Sequence, residues 1–230
     1  MKQLPAPETY VDGLDFWPYK SSLTEVLEYV TAHAPVSAHV LDIMCGPGYL
    51  LGKIGRTRRD LILTGVDTDE RYVSYGRETQ PSVNFTTGDV LTWRPESLPD
   101  VVVCTGSIHH VPYEMQEAAI KNIASMVVAG GFAVISDCYV DDYANETERK
   151  LAAAKLGYQY LVATIAKKAP EKVVSWTLDI LTNDVLMDEY KMSLAKRLPL
   201  IKGYFLKVET IKTWPAFESG YGDYIHICRN

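Results

Sequence analysis

A turn with two glycines and an aspartate joins the first predicted strand of this 230-residue chain to the helix after it. The motif begins at Asp42, ends at Gly48 and has the sequence DIMCGPG. Because Gly46 and Gly48 lack a Cβ and can adopt positive φ, the backbone there can closely approach a nucleotide-like ligand. A phosphate would be repelled by the carboxylate of Asp42, whereas a ligand with ammonium and sulfonium groups would be attracted. The turn therefore indicates a site for a cationic nucleoside.

Two more aspartates follow the next two predicted strands. Asp67 lies 25 residues after Asp42, and Asp89 lies 22 residues after Asp67, so each interval fits one strand–helix–strand unit. A carboxylate such as that of Asp67 can accept two hydrogen bonds from a cis-diol. Taken singly, Asp42 and Asp67 could instead be helix caps or turn residues, and Asp89 after Gly88 could belong only to a turn.

Two adjacent histidines, His109 and His110, follow the fourth predicted strand, which ends at Thr105. A neutral imidazole at this position could take a proton from a hydroxyl or amine, so both are candidate catalytic residues. The alternative is that they shape the pocket and form hydrogen bonds with neighbouring loops.

Strands and helices alternate through the first 137 residues. Strands are predicted at 38–43, 61–66, 83–86, 100–105 and 132–137, with helices at 49–57, 70–77 and 113–128. This alternation predicts a doubly wound α/β fold with a mostly parallel sheet. Before the first strand, residues 5–35 are expected to form an extended arm followed by a helix.

About 60 residues without a strand signal separate the fifth strand from the next one. One helix there is predicted from the apolar spacing of Leu151, Ala154, Tyr158, Leu161 and Ile165. A second is predicted over 173–197, with a break or cap at Asn183-Asp184. Strands at 204–213 and 223–229, joined by a short turn, must run antiparallel. We therefore expect a seven-stranded sheet with an antiparallel C-terminal hairpin, and a helical insertion between strands five and six that acts as a lid or dimerisation element.

The composition limits the classes of partner that the chain is expected to bind. A net charge of −6 disfavours nucleic acid, whose binding depends on neutralising phosphates. No apolar run approaches a membrane span, and the first 20 residues do not resemble a signal peptide, so a cytoplasmic location is expected. The four cysteines lack metal-ligand spacing, and no metal site is predicted. Acidic residues around the loop after strand five, and a basic stretch nearer the C-terminus, are both expected to be exposed to solvent. The acidic residues are Asp137, Asp141, Asp142, Glu146 and Glu148. The basic residues are Lys191, Lys196, Arg197, Lys202 and Lys207.

With these motifs in this order, residues 36–139 resemble the class I S-adenosylmethionine-dependent methyltransferases, and residues 203–229 resemble them in topology. The first motif of that family is acid-x-Gly-x-Gly-x-Gly, and Met44 replaces its first glycine, so the turn must accommodate a side chain. The resemblance implies that Asp67 binds the ribose hydroxyls, that Asp89 binds the adenine amino group and that Val90 covers the adenine ring. The cofactor-binding residues it implies are Asp42, Met44, Gly46, Gly48, Asp67, Thr68, Asp89, Val90, Thr105 and Tyr19.

The resemblance implies methyl transfer from S-adenosyl-L-methionine, leaving S-adenosyl-L-homocysteine, to an oxygen, nitrogen or carbon of a small or medium organic acceptor. Residues 1–35 would cover the site, 36–140 and 200–230 would form the Rossmann-like core, and 141–199 the helical insert. A homodimer is possible. Aromatic residues expected near the pocket are Tyr10, Trp17, Tyr19, Tyr113, Tyr139, Tyr143, Tyr158 and Tyr160.

Three alternatives remain. The chain could bind the same cofactor without transferring a methyl group, or it could be a non-catalytic regulatory subunit. Dinucleotide binding is disfavoured because Leu51 occupies the third position of the G-x-G-x-x-G fingerprint, with Gly52 one place late.

Overall fold

The computed structural model describes residues 5–186 and 189–230, which form one seven-stranded sheet with helices on both faces. The strands are β1 His39–Ile43, β2 Ile62–Asp67, β3 Val83–Thr87, β4 Val101–Thr105, β5 Phe132–Tyr139, β6 Lys207–Trp214 and β7 Gly222–Arg229. The helices are α1 Pro7–Leu14, α2 Lys20–His33, α3 Tyr49–Thr57, α4 Glu70–Thr79, α5 Tyr113–Met126, α6 Glu146–Ala166, α7 Glu171–Leu186 and α8 Leu194–Lys202.

The sheet has the strand order β3-β2-β1-β4-β5-β7-β6. Strands β1 to β5 pair in parallel, and β7 pairs antiparallel with both β5 and β6. The predicted fold class is therefore confirmed. Strand order reverses between β1 and β4, and the carboxyl ends of strands at such a point border a crevice. The turns after β1, β2 and β4 meet there.

Burial follows from the sequence of the central strands. The Val-Val-Val-Cys run of β4 and the whole of β5 are buried, as expected for strands covered on both faces. One apolar cluster joins the sheet to α2, α3 and α6, through residues such as Leu23 and Leu156. The other joins the opposite face to α5 and α8, through Ile120 and Ile201. The sheet thus gives the site a rigid base.

The N-terminal arm differs from its prediction. Residues 7–14 form a helix instead of an extended segment, and Pro7 begins it at a position where its missing N–H costs nothing. Residues 1–4, which belong to the segment predicted to cover the site, lie outside the described residues. The second helix of the insert is also divided differently, because Asn183 and Asp184 lie inside α7 and the helix continues to Leu186. Residues 187–188 of that predicted helix lie outside the described residues too.

Helix α6 buries a different face from the one predicted. Leu151, Tyr158 and Ile165 are exposed, whereas its buried side carries mostly small residues between Arg149 and Thr164. Helix α7 packs closely on this side, so that a Cβ built on Gly157 would lie 2.6 Å from a methyl of Leu181. Close approach of two helices requires small residues in the contact. This requirement outweighs the apolar spacing that suggested the other face.

None of the helices in the described ranges is both long and apolar enough to span a membrane.

Candidate active site

Two adjoining cavities open at the carboxyl ends of the parallel strands. The smaller has a volume of about 130 Å³ and is lined by the turns after β1, β2 and β4. The larger has a volume of about 270 Å³ and lies beneath α1, α6 and α7. Their common wall consists of Tyr10, Leu14, Tyr19, Gly106 and His110. Molecules bound in the two cavities would therefore be close neighbours.

The turn after β1 shapes the smaller cavity through its backbone. Met44, Gly46 and Gly48 have φ values of 63°, 55° and 79°. A Cβ built on Gly46 meets no atom within 4 Å, whereas a Cβ on Gly48 would lie 2.4 Å from the ring of Phe85. Gly46 therefore borders open space in the cavity, and Gly48 allows the turn to pack on Phe85.

Met44 occupies a backbone conformation that a side chain rarely adopts. Its left-handed φ costs roughly 1–2 kcal/mol. Its carbonyl oxygen accepts a hydrogen bond from Oγ of Ser107 at 3.0 Å, and its side chain packs against the apolar cluster beside the cavity. These contacts show how the first turn accommodates a side chain in place of glycine.

The carboxylates of Asp67 and Asp42 differ in how fully their oxygens are hydrogen-bonded. Asp67 accepts hydrogen bonds from the backbone N–H of Gly46 at 2.7 Å and of Asp69 at 2.9 Å. Asp42 is 1% exposed, and its Oδ1 has no hydrogen-bond partner among the described residues. Burial, and then the charge of Asp67, raises the pKa of Asp42 well above its usual value. A bound cation would stabilise the charged form of Asp42, so the smaller cavity fits a positively charged ligand.

The predicted cofactor residues divide into two groups. The smaller cavity is lined by Asp42, Met44, Gly46, Asp67, Thr68, Thr105 and Tyr19. Gly48, Asp89 and Val90 lie outside its lining. Asp89 is exposed and accepts a hydrogen bond from the N–H of Leu91, which is the turn arrangement considered as its alternative role. Val90 is buried in an apolar cluster.

His109 is held in place by a buried carboxylate. Its Nδ1 lies 2.5 Å from Oδ1 of Asp137, and its backbone N–H donates to Oδ2 of the same residue at 3.1 Å. Nη1 of Arg197 also donates to Asp137, at 2.9 Å. Burial raises the pKa of Asp137, but His109 and Arg197 outweigh it, and the pKa is lowered. An ionised Asp137 favours a proton on Nδ1 of His109. Nε2 is then free to accept a proton, and it lies 3.7 Å from a carboxylate oxygen of Glu189.

His110 borders both cavities and keeps part of its surface open to them. The surrounding protein, and then the neighbouring His109, lower its pKa. His110 is therefore neutral near pH 7. It is a weaker proton acceptor than an unperturbed histidine.

A second buried ion cluster lies beside the histidines. Nζ of Lys191 is 2.5 Å from Oδ1 of Asp184 and also contacts Glu189. Burial raises the pKa of Asp184 to about 8, although Lys191 opposes the shift. The expectation that the basic stretch is solvated is wrong for Lys191 and Arg197, which are 3% and 0% exposed. It is also wrong for Asp137. No local pattern marked Asp137 or Arg197, because these two partners lie 60 residues apart in the chain.

Aromatic side chains form much of the larger cavity. Tyr10, Trp17, Tyr19 and Tyr160 line it, as does Trp176, which the sequence analysis missed. The ring centroids of Trp17 and Trp176 are 4.7 Å apart, and Nε1 of Trp17 donates to Oγ1 of Thr177 at 3.0 Å. The other predicted aromatics lie outside the lining of this cavity, namely Tyr113, Tyr139, Tyr143 and Tyr158.

Within the described ranges, two groups of side chains have metal-ligand chemistry: His109, Asp137 and Cys138, and His109, His110 and Glu189. In each group, the carboxylate already binds a cationic side chain. Asp137 binds Arg197, and Glu189 binds Lys191. Because a metal ion would have to displace or repel these cations, we assign neither group to a metal.

Comparisons with known proteins agree with this architecture. Residues 40–131 match the family model described as a methyltransferase domain. The trans-aconitate 2-methyltransferase of Mycobacterium marinum is 36% identical over 73 residues, which are 32% of this chain and 27% of that protein. The enzyme of the same name from Delftia acidovorans is 28% identical over 100 residues, covering 42% and 37%. The chain thus matches only about a third of the length of these curated relatives.

Solved structures extend the likeness to nearly the whole fold. Magnesium protoporphyrin IX methyltransferase from Synechocystis, with bound S-adenosyl-L-homocysteine, superposes with a TM-score of 0.61 at 17% identity, covering 93% of this chain and 84% of that one. The N-methyltransferase NodS from Bradyrhizobium japonicum, with the same ligand, gives 0.61 at 14% identity, covering 92% and 86%. The fold is that of the class I S-adenosylmethionine-dependent methyltransferases. Residues 40–131 match a methyltransferase-domain model, in agreement with the motifs.

Proposed function

We propose that this chain transfers a methyl group from S-adenosyl-L-methionine to a small or medium organic acceptor. The observation that carries the proposal is the pair of adjoining cavities with a common wall. One contains a buried carboxylate oxygen without a partner among the described residues, and the other carries a histidine with a free ring nitrogen. Methyl transfer requires a donor site and an acceptor site that are in direct contact.

The smaller cavity is the proposed cofactor site. Asp42 and Asp67 would bind its positive and hydroxyl groups, and Gly46 would allow the close approach of the turn. When bound there, S-adenosyl-L-methionine supplies a methyl group on a positively charged sulfur. Asp89 and Val90 would contact the cofactor only if it extends beyond the residues that line the smaller cavity.

The larger cavity is the proposed acceptor site. His109 would take the proton of the attacking group on Nε2, while Asp137 holds the ring and stabilises its charged form. His110, in the wall common to both cavities, would position the acceptor. The surrounding helices would limit access of water, and alignment of the two substrates would supply much of the rate enhancement. The names of the curated relatives make trans-aconitate, a tricarboxylate, one candidate acceptor.

We assign the two cavities to the chain segments predicted from the sequence. Residues 5–35 and the described part of segment 141–199 supply the aromatic and acidic walls of the larger cavity, and residues 36–140 supply most of the smaller one. Segment 141–199 would therefore act as a lid over the acceptor. The homodimer stays a prediction.

Titration calorimetry with S-adenosyl-L-homocysteine and S-adenosyl-L-methionine tests the cofactor site. We expect both to bind, and Asp67→Ala to weaken binding by about 1–3 kcal/mol, the scale of lost charged hydrogen bonds. Asp60→Ala is the matched control, because Asp60 precedes the opposite end of the same strand and pairs with Arg58 on the surface. His109→Ala should keep cofactor affinity. Failure of the unchanged protein to bind either ligand would refute the proposal and favour a regulatory subunit.

A further inference from the structure

We propose that the larger cavity selects an organic amine with an aromatic or apolar body as its methyl acceptor, and disfavours polycarboxylates. This inference rests on the methyl transfer proposed above. It concerns charge and chemistry that the likeness to known methyltransferases does not specify.

The lining of the larger cavity has an excess of acidic groups. Asp184 and Glu189 contribute buried carboxyl groups, whereas Lys191 is the only lysine or arginine among the described lining residues. Both Asp184 and Glu189 bind the Nζ of this lysine, so its charge is already neutralised. Burial raises the pKa of Glu189, but this is outweighed, chiefly by Lys191, and the pKa is lowered, so Glu189 keeps a carboxylate in the lining. The cavity therefore has a carboxylate beside an ammonium group and no spare cation for an anion.

Aromatic rings complete this environment. Tyr10 packs against Trp17 and Trp176 with centroid separations of 5.9 Å and 5.8 Å, and all three side chains line the cavity. The faces of indole and phenol rings attract organic cations, more strongly where water is excluded. Rings together with carboxylates form an environment typical of ammonium recognition. The same rings would contact the apolar body of the ligand.

A tricarboxylate such as trans-aconitate would meet the opposite conditions. Arg197 is fully buried against Asp137, and Lys191 is bound by two carboxylates. A carboxylate of the ligand would be repelled by the negative charge of Glu189 in the lining. Without a free cation to offset this repulsion, the cavity disfavours such a ligand.

Methylation of an amine also suits the placement of His109. The ammonium group of the acceptor gives one proton to Nε2 of His109, and the freed nitrogen lone pair forms the new N–C bond as the S–C bond of the donor breaks. The bonding pair of that S–C bond stays on sulfur, and the positive charge passes to nitrogen. Glu189, 3.7 Å from Nε2, stabilises the protonated histidine.

The test is calorimetry on protein saturated with S-adenosyl-L-homocysteine, with four probes. These are 2-phenylethylamine, its neutral analogue 2-phenylethanol, its anionic analogue 3-phenylpropanoate, and trans-aconitate. We expect the amine to bind at least tenfold more tightly than the alcohol, and both anions to bind more weakly than the alcohol. Equal affinity for amine and alcohol, or tighter binding of either anion, would overturn the inference.

Three variants test which side chains produce the preference for the amine over the alcohol. Glu189→Gln and Trp176→Leu should each reduce the amine-to-alcohol ratio several-fold, whereas Glu171→Gln, at the exposed start of the helix that carries Trp176, should leave it unchanged. If Glu189→Gln does not fold, Trp176→Leu decides the outcome, and an unchanged ratio there overturns the inference. If the unchanged protein does not bind S-adenosyl-L-homocysteine, the proposal of methyl transfer itself is refuted. Retained binding of that ligand without amine preference would refute only the acceptor class.

Discussion

The two cavities are built in different ways. The smaller is formed by short turns that leave adjacent parallel strands, so its shape depends mainly on backbone conformation at Met44, Gly46 and Gly48. The larger is formed by side chains from distant segments, as in the hydrogen bond from Trp17 to Thr177, which are 160 residues apart. A backbone-defined site tolerates changes of side chain, whereas a network of side chains depends on each member.

The cavities also differ in electrostatic compensation. Beside the larger one, Asp137 and Asp184 are paired with buried cations. In the smaller one, Asp42 forms no ion pair among the described residues, and one of its oxygens has no hydrogen-bond partner there. A compensated cluster stabilises the folded chain, and an uncompensated carboxylate gains its partner only from a ligand. We therefore expect substitutions near the larger cavity to change stability, and those near the smaller one to change binding.

The largest effect should come from Arg197→Met. This change leaves the buried Asp137 without its guanidinium partner, and breaking a buried pair in this way costs about 3–5 kcal/mol. Lys202→Met is the control, because Lys202 is exposed at the end of the same helix. Urea unfolding should show less than about 0.5 kcal/mol of change for the control. Comparable losses for both variants would contradict the structural role given to Arg197.

Gly48→Ala and Gly46→Ala separate stability from binding within one turn. Both changes impose roughly 1–2 kcal/mol of left-handed strain. Gly48→Ala adds about 1–3 kcal/mol of overpacking, because its Cβ would lie against Phe85. Gly46→Ala adds a methyl group to the open cavity instead. Unfolding should therefore respond more to Gly48→Ala, and calorimetry with S-adenosyl-L-homocysteine should respond more to Gly46→Ala. The reverse order would mean that Gly46 does not face the ligand.

This contrast explains what the sequence could predict. Asp42, Gly46 and Gly48 lie close together in one motif, and strand–helix alternation was enough to predict the order of strands and helices from β1 to β5. The buried pair of Asp137 and Arg197 could not be predicted, because the two residues lie 60 positions apart and meet only in the complete fold. For α6, close packing against Leu181 overruled the apolar spacing. Trp176 was missed because its role exists only beside Trp17.

Asp223→Asn tests the pH dependence of the polar layer next to the larger cavity. Asp223 accepts a hydrogen bond from Tyr160, and burial raises its pKa to about 8. The folded chain thus keeps a proton that the unfolded chain releases near pH 4, so stability from this group is present at low pH and is lost as pH rises towards 8. The slope is at most about 1.4 kcal/mol per pH unit.

Urea unfolding of the unchanged protein and of Asp223→Asn between pH 5 and pH 8 measures this slope. The variant should lose less stability with rising pH, so its free energy of unfolding should gain steadily on that of the unchanged protein. Titration of Asp184 contributes equally to both proteins and cancels in the difference. A difference that does not vary with pH would show that Asp223 is ionised throughout the range.

The smallest change in stability is expected for Met44→Gly. Relief of roughly 1–2 kcal/mol of left-handed strain is offset by about 0.5–1 kcal/mol of added backbone entropy in the unfolded chain, and by lost contacts of the half-buried side chain. The free energy of unfolding should therefore change by less than about 1 kcal/mol. If backbone conformation defines the smaller cavity, affinity for S-adenosyl-L-homocysteine should also stay within about threefold. A larger loss of affinity with unchanged stability would show that the Met44 side chain itself contacts the ligand, and that this cavity too depends on a particular side chain.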